Sequence, residues 1–274
     1  MFAKLLKHDF KASAGLLWLL GGCVLGIGCV SAVVLRLITS NWDTINAKDG
    51  LSLILIPAFL FLFIAYLAII LYGVSTQYIL LYRFYKSRFS DEGYLMFTLP
   101  VKTHHIFLSN ALNMLIWSII SIVFIGAAFG IAVILGPVWD EEILQEIRWA
   151  YSGIGTLFSD GYSIGYMITL ILCGLIYAIY AIVSPMTAVV LGSSIAKKHK
   201  VLAIIGLLIV FSVITSILTS IVSGVMQFLL IAWEDKVQLI AMLTPIFSSI
   251  FPLVLTIAGY FFSIHLMKKR LNLP

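Results

Sequence analysis

Residues 89–101 read FSDEGYLMFTLPV and lie between two long hydrophobic runs. Ser90 is a favourable helix N-cap, and Asp91 and Glu92 would follow it in the first turn, where the helix dipole favours acidic side chains. Pro100 would end or bend the helix, because proline has no backbone N–H to donate. The stretch therefore predicts a short helix whose apolar surface comes from Tyr94, Leu95, Phe97 and Leu99.

Basic residues stand on both sides of this short helix: Arg83, Lys86 and Arg88 before it, and Lys102, His104 and His105 after it. A short apolar helix just outside a bilayer needs a surface to pack against. The residues alone leave two interpretations open. The helix lies on lipid headgroups or on its own bundle, or it docks a soluble partner protein.

The composition of the whole chain excludes a soluble globular domain. Of its 274 residues, 62% are hydrophobic and only 11% are charged, and the mean hydropathy is +1.11. The three cysteines, Cys23, Cys29 and Cys173, lie in apolar runs without CxxC spacing, which argues against a disulfide framework or a zinc site. The chain is predicted to be an all-α polytopic membrane protein.

The apolar runs predict six transmembrane helices, each long enough to cross a hydrocarbon core of about 30 Å. The predicted spans are 14–37, 51–81, 106–136, 161–191, 201–223 and 245–267. The first run could instead be a lipoprotein signal ending at Cys23, but it continues well beyond that residue, which favours a retained span. Residues 1–13 predict an interfacial helix, because apolar residues occupy one face and Lys4, Lys7 and Lys11 occupy the other.

The charged residues predict the orientation. Thirteen of the 17 Lys and Arg residues fall at the N-terminus, in 82–105, in 192–200 or after Met267, whereas nine of the 12 acidic residues fall in the other connections. By the positive-inside rule, both termini and residues 88–101 are cytoplasmic.

The two long outer connections have patterns of their own. Residues 137–160 predict an extracellular loop with a short surface helix, because an acidic start is followed by apolar residues at helical spacing. Residues 201–231 exceed the length that one span needs, and Ser223 and Gly224 offer a break. We expect 224–244 to form a re-entrant hairpin in the outer leaflet; the alternative is one long tilted helix.

The centres of the predicted spans contain no Asp, Glu or Lys, which disfavours ion-driven carriers and voltage sensors. The amides Gln77, Asn110, Asn113 and Gln227 suit interhelical hydrogen bonds better than substrate ligands. Three of these amides are nevertheless the candidate polar groups of a translocation path: Gln77, Asn113 and Gln227.

Small residues that are four positions apart in the sequence predict close contacts between helices. The sets are Gly22 with Gly26, Gly126 with Gly130, Gly161 with Gly165, and Ser216, Ser220 and Gly224.

The search for catalytic motifs predicts no catalytic or metal-binding residue. Residues 194–197 match SxxK but end a helix beside further basic residues, and the pair His104–His105 has no metal-ligand spacing. The sequence has no GxxxxGK[ST] phosphate loop, so this chain is not expected to bind ATP in the P-loop manner.

The order of these parts resembles the membrane subunit of bacterial ABC transporters of the ABC-2 permease class. The specific part of the resemblance is residues 91–101, which are similar to the Glu-Gly, leucine-rich, Leu-Pro pattern of the family's first cytoplasmic loop. Residues 102–110 also resemble the run into the third span, except that many relatives have lysine where this chain has Asn110.

The resemblance implies an exporter of hydrophobic or amphipathic substrates, such as antimicrobial peptides, lipids or drugs, in the bacterial cytoplasmic membrane. Two separate ATPase subunits would bind ATP and Mg²⁺, this chain would carry no cofactor, and a second permease chain would complete a homodimer or heterodimer. Contact with the ATPase falls to a coupling helix containing Asp91, Glu92, Gly93, Tyr94, Leu95, Phe97, Thr98, Leu99 and Pro100. Nucleic acid is not expected as a partner. The alternatives are an ATP-independent carrier or channel and a non-transporting scaffold or immunity protein.

Overall fold

A computed structural model describes residues 2–40, 51–89, 103–136, 161–196, 199–233 and 236–270, and positions 144, 145, 148, 149 and 152. These residues form six long helices: α1 (Phe2–Ser40), α2 (Leu51–Phe89), α3 (Thr103–Leu135), α4 (Gly161–Ile195), α5 (Lys200–Ala232) and α6 (Val237–Arg270). All six are long and apolar enough to cross a membrane. The prediction of an all-α protein with six helices able to span a membrane is confirmed for the described residues.

The described helices have a buried apolar core, but they also expose many more large apolar side chains than a soluble protein does. Large apolar side chains point outward, and Phe63 is 67% exposed and Leu202 is 74% exposed. Hydroxyls such as those of Ser31 and Thr76 are buried and donate hydrogen bonds to carbonyls of their own helices, at 2.8 and 2.9 Å. Such an arrangement suits helices that are surrounded by lipid, where every polar group needs an internal partner.

The chain divides into two compact units. Unit 1 comprises Met1–Tyr82 and Leu112–Ile147, and unit 2 comprises Arg83–Ala111 and Arg148–Pro274. Helices α2 and α3 therefore each contribute one part to unit 1 and the other part to unit 2.

Unit 1 is held together by close packing of α1 on α3. A Cβ at Gly28 would lie 2.8 Å from the carbonyl oxygen of Ala128, and a Cβ at Gly21 would lie 2.7 Å from the ring of Phe124. These two glycines are seven residues apart and so share one face of α1. The predicted pair Gly22 and Gly26 is not the contact, since a Cβ at either position has no neighbour within 4 Å.

Unit 2 is built on α4, which packs against both α5 and α6. Two glycines allow the close approach: a Cβ at Gly192 would lie 2.8 Å from the backbone nitrogen of Ile204, and one at Gly259 would lie 2.8 Å from Thr187 Oγ1. The predicted small residues Gly161 and Gly224 have open space instead, whereas a Cβ at Gly165 would meet the methyl group of Met242.

A tyrosine compensates for a proline inside α6. Pro252 has no N–H, so the carbonyl of Ser248 lacks its usual helical partner. The hydroxyl of Tyr177 on α4 donates a hydrogen bond of 3.0 Å to this carbonyl oxygen. The proline is thus tolerated within α6 because a neighbouring helix satisfies the freed group.

Two of the predicted boundaries inside helices are absent. Helix α1 continues through residues 13 and 14, where Ser13 Oγ donates to Asp9 O at 3.1 Å, so residues 1–13 do not form a separate element. Helix α5 likewise continues through the predicted break, and Ser223 Oγ donates to Ser220 O at 2.9 Å. A glycine costs a helix only about 1 kcal/mol. An interrupted backbone in lipid costs more, which accounts for the continuous helices.

The outer connections are described only in part. Positions 144, 145, 148, 149 and 152 are helical and exposed, and the rest of 137–160 lies outside the described residues. Between α5 and α6, Lys236 Nζ lies 5.2 Å from the ring centroid of Trp233. Helix α5 ends at Ala232, nine residues beyond the predicted end of the fifth span at residue 223.

Candidate functional site

The predicted coupling residues Asp91 to Pro100 lie outside the described residues. The two flanks of this segment are described: Phe89 is the last residue of α2, and Thr103 is the first residue of α3. Both flanks belong to unit 2.

The flank at the end of α2 is buried. Phe84 and Arg88 are each 1% exposed, and the ring of Phe84 makes an edge contact with that of Phe89 at 5.6 Å between centroids. The carbonyl oxygen of Phe89 accepts a hydrogen bond of 3.4 Å from Lys200 Nζ, at the start of α5. Because arginine keeps its charge in proteins, Arg88 places a buried positive charge next to the segment.

The flank at the start of α3 is buried as well. Phe107 is 1% exposed and makes edge contacts with Phe84 at 6.3 Å and with Tyr260 of α6 at 5.6 Å. Asn110, which stands where many permeases have lysine, is buried and donates a hydrogen bond of 2.9 Å to Ile106 O of its own helix. Its amide therefore has a local role within α3.

We call this set of residues the anchor: Phe84, Arg88, Phe89, Phe107, Lys200 and Tyr260. It ties the end of α2 and the start of α3 to α5 and α6 within unit 2. Each aromatic pair is worth about 0.5–1.5 kcal/mol beyond the area that it buries. The anchor was not foreseen, because its aromatic residues are far apart in sequence and carry no motif.

The predicted membrane-surface residues Lys4, Lys7 and Lys11 are exposed on α1. On the apolar side of the same turns, the ring of Phe10 stacks on Trp117 of α3 with a centroid distance of 5.1 Å and an interplanar angle of 18°. The apolar face of residues 2–11 thus packs in part on protein within unit 1.

Two candidate translocation-path groups, Gln77 and Asn113, lie on α2 and α3 in unit 1. We use the name polar seam for the polar side chains of these two helices that are buried or hydrogen-bonded there, without implying that all of them touch: Tyr72, Gln77, Asn113, Trp117, Ser118 and Ser121. Gln77 Nε2 donates to Ser118 Oγ, and Ser118 Oγ donates to Met114 O at 2.7 Å. Asn113 is only 5% exposed. Asn113, Trp117 and Ser121 are four residues apart, so this face could have been found from spacing in the sequence.

Several atoms of the polar seam are buried without a hydrogen-bond partner among the described residues. They are Tyr72 OH, Gln77 Oε1, Asn113 Oδ1, Trp117 Nε1 and Ser121 Oγ. Both donors and acceptors are present, which is the mixture that internal water can satisfy. Gln227, the third candidate, is exposed on α5 of unit 2 and does not share this seam.

Two substitutions in the polar seam are expected to have unequal effects on stability. Ser118→Ala should lower the free energy of unfolding by about 1–3 kcal/mol, because it leaves the amide of Gln77 buried without its partner. Gln77→Leu should be nearly neutral, because it removes both the donor and the unpartnered Oε1. Unfolding in mixed micelles would measure both. If Gln77 lines a translocation path, Gln77→Leu should reduce transport while stability is retained.

The described residues contain no group of three or more His, Cys, Asp or Glu side chains close enough together to hold a metal ion.

Comparisons of the chain with protein-family models, with curated proteins and with solved structures found no match.

Proposed function

We propose that this chain is the membrane-spanning permease subunit of an ATP-driven exporter of the ABC-2 class. A separate cytoplasmic ATPase, present in two copies with its own ATP and Mg²⁺, drives it through residues 91–100. A second permease chain completes the assembly in the bacterial cytoplasmic membrane, with both termini of this chain cytoplasmic. The cargo is a hydrophobic or amphipathic peptide, lipid or drug.

The observation that carries the proposal is the anchor. A coupling helix is useful only if a force on it reaches the helices that move. The segment 90–102 is bounded by Phe89 and Thr103, and the contacts of Phe89 and Phe107 lead directly to Lys200 on α5 and Tyr260 on α6. A push on the segment would therefore reach α5 and α6 through these contacts, and Phe107, which makes one of them, is buried and has little freedom to absorb it.

The sequence of the segment supports the same role. Tyr94, Leu95, Phe97 and Leu99 would form an apolar patch that is flanked in the sequence by the charged residues Asp91, Glu92 and Lys102. Aromatic residues with a charged rim are typical of protein interfaces. This favours a soluble partner over lipid headgroups as the surface on which the helix packs.

In this proposal, long continuous helices replace the predicted interfacial helix of residues 1–13 and the predicted re-entrant hairpin of residues 224–244. Helix α1 is about 58 Å long, well beyond the core of about 30 Å, so its first turns, with Lys4, Lys7 and Lys11, would extend into the headgroup region. Helices α5 and α6 would likewise be long tilted helices, which were the alternative to a re-entrant hairpin.

The test is to purify the chain in mild detergent from its native membrane and to identify what stays bound. The proposal expects a stoichiometric soluble ATPase that contains the phosphate loop missing from this chain. A preparation without any nucleotide-binding partner would contradict the proposal. Flux by such a preparation in vesicles would then indicate an ATP-independent carrier, and peptide binding without flux would indicate a scaffold or immunity protein.

A further inference from the structure

A groove of about 330 Å³ runs along the surface of unit 2 between α4, α5 and α6. Its walls are formed mainly by Tyr180, Thr187, Leu191, Phe211, Leu255 and Phe262. The volume is at the lower end of the range of about 300–1,000 Å³ for ligand pockets. The groove opens outward, since Phe262 at its edge is 49% exposed.

The groove depends on two small residues of α6. Gly259 lets α6 approach α4 so closely that a Cβ there would lie 2.8 Å from Thr187 Oγ1. The neighbouring Ala258 is exposed and lines the open side. A larger side chain at Ala258 would fill the groove, whereas one at Gly259 would collide with Thr187.

The polar groups in the wall are largely occupied. Thr187 Oγ1 donates to Val183 O at 2.8 Å, and the hydroxyl of Tyr180 is hydrogen-bonded to Thr215 Oγ1. Ser184 supplies one further hydroxyl. The groove therefore offers mainly hydrocarbon and aromatic surface and suits an apolar chain rather than a polar molecule.

The dimensions and the charge of its surroundings identify the occupant. Along α4 the groove extends from Tyr180 to Leu191, about 16 Å, which is roughly one leaflet of a core of about 30 Å. On α6, Leu255, Phe262 and Lys269 are spaced by seven residues and so follow one face. The exposed Lys269 stands two turns beyond the groove, at the membrane surface where α6 ends.

We propose that this groove binds one acyl chain of an anionic phospholipid, with the lipid phosphate beside Lys269. An apolar chain gains no hydrophobic free energy by moving from the bilayer into a groove, so binding depends on close packing and on the charge. A lysine near the membrane surface favours an anionic lipid by about fivefold. The inference requires only that unit 2 crosses a membrane, so it stands apart from the proposed transport function.

Photo-crosslinking of the full chain would test the site. The protein is placed in nanodiscs of phosphatidylcholine and phosphatidylglycerol that contain a trace of phospholipid with a diazirine on its acyl chain, and adducts are mapped by mass spectrometry. We expect adducts at Phe211, Leu255 and Phe262, and about fivefold more of them from the phosphatidylglycerol probe than from the phosphatidylcholine probe. Equal labelling of the exposed Ile209 and Val213 would overturn the proposal.

Two pairs of variants sharpen the test. Ala258→Phe should fill the groove and reduce its adducts at least about tenfold, whereas Ala178→Phe, at an exposed position of α4 outside the groove, should leave them unchanged. Lys269→Gln should abolish the preference for the anionic probe, and the adjacent Lys268→Gln, on another face of α6, should not. Adducts that survive Ala258→Phe, or an anionic preference that survives Lys269→Gln, would contradict the assignment. A groove covered by a second copy of the chain would give no lipid adduct, which would also overturn it.

Discussion

The double variant Tyr94→Glu, Leu95→Lys is expected to purify without the ATPase and to lose ATP-driven transport about thirtyfold or more. A hot-spot residue at the centre of a protein interface, often a tyrosine, costs about 2 kcal/mol or more when it is removed, and 2 kcal/mol corresponds to about thirtyfold in affinity. Because the substitutions fall in the segment between α2 and α3, membrane insertion and association with a second permease chain should be retained. Copurification and ATP-dependent uptake into inverted vesicles would measure the two losses.

A matched control carries the same charges elsewhere. Leu144→Glu with Trp149→Lys places them on two exposed positions of the other long connection, where these side chains are 41% and 80% exposed. This control should copurify with the ATPase as the unaltered chain does. Full ATP-driven transport by the Tyr94, Leu95 variant would show that residues 91–100 are not the coupling helix.

Gly28→Ala is expected to lower the free energy of unfolding by about 1–3 kcal/mol, the usual cost of overpacking. The added Cβ would lie 2.8 Å from Ala128 O and 2.9 Å from Ala128 Cα, both of which are backbone atoms that cannot move aside as a side chain can. Helix α1 would have to shift away from α3 over its whole contact. Unfolding in mixed micelles, followed by circular dichroism, would measure the loss.

The control for this prediction is Gly26→Ala on the same helix. A Cβ at Gly26 has no neighbour within 4 Å, so this variant should be neutral or slightly more stable, because alanine favours the helix over glycine. Equal destabilisation by both variants would mean that α1 does not pack on α3 through the Gly21 and Gly28 face.

The six helices could be predicted because lipid sets both their length and their composition, and both properties can be read locally. The contacts that the glycines make between helices could not be predicted. The fourfold spacing of Gly22 and Gly26 is visible in the sequence, but the partner of Gly28 is Ala128, a hundred residues away, and nothing local indicates which face of α1 meets it. The spacing of small residues shows which faces of a helix could pack closely, and the tertiary contacts determine which of these faces does so.

The predicted helix boundaries after residues 13 and 223 were wrong for a different reason. Gly224 weakens a helix in water, where an open backbone group can bond to solvent, but α5 continues to Ala232 because lipid offers no such substitute. The candidate site was foreseen in part. Gln77 and Asn113 were identified by their polarity, whereas Trp117 and Ser121 were missed although they follow Asn113 at helical spacing.

The hydrogen bond from Tyr177 to the carbonyl freed by Pro252 has a mechanical consequence. Separating α4 from α6 at that level would leave a carbonyl unsatisfied in hydrocarbon, at a cost of several kcal/mol. We therefore expect the bond to act as a fulcrum: the two helices would pivot about it, and the lipid groove would widen or narrow on its basic side as they do.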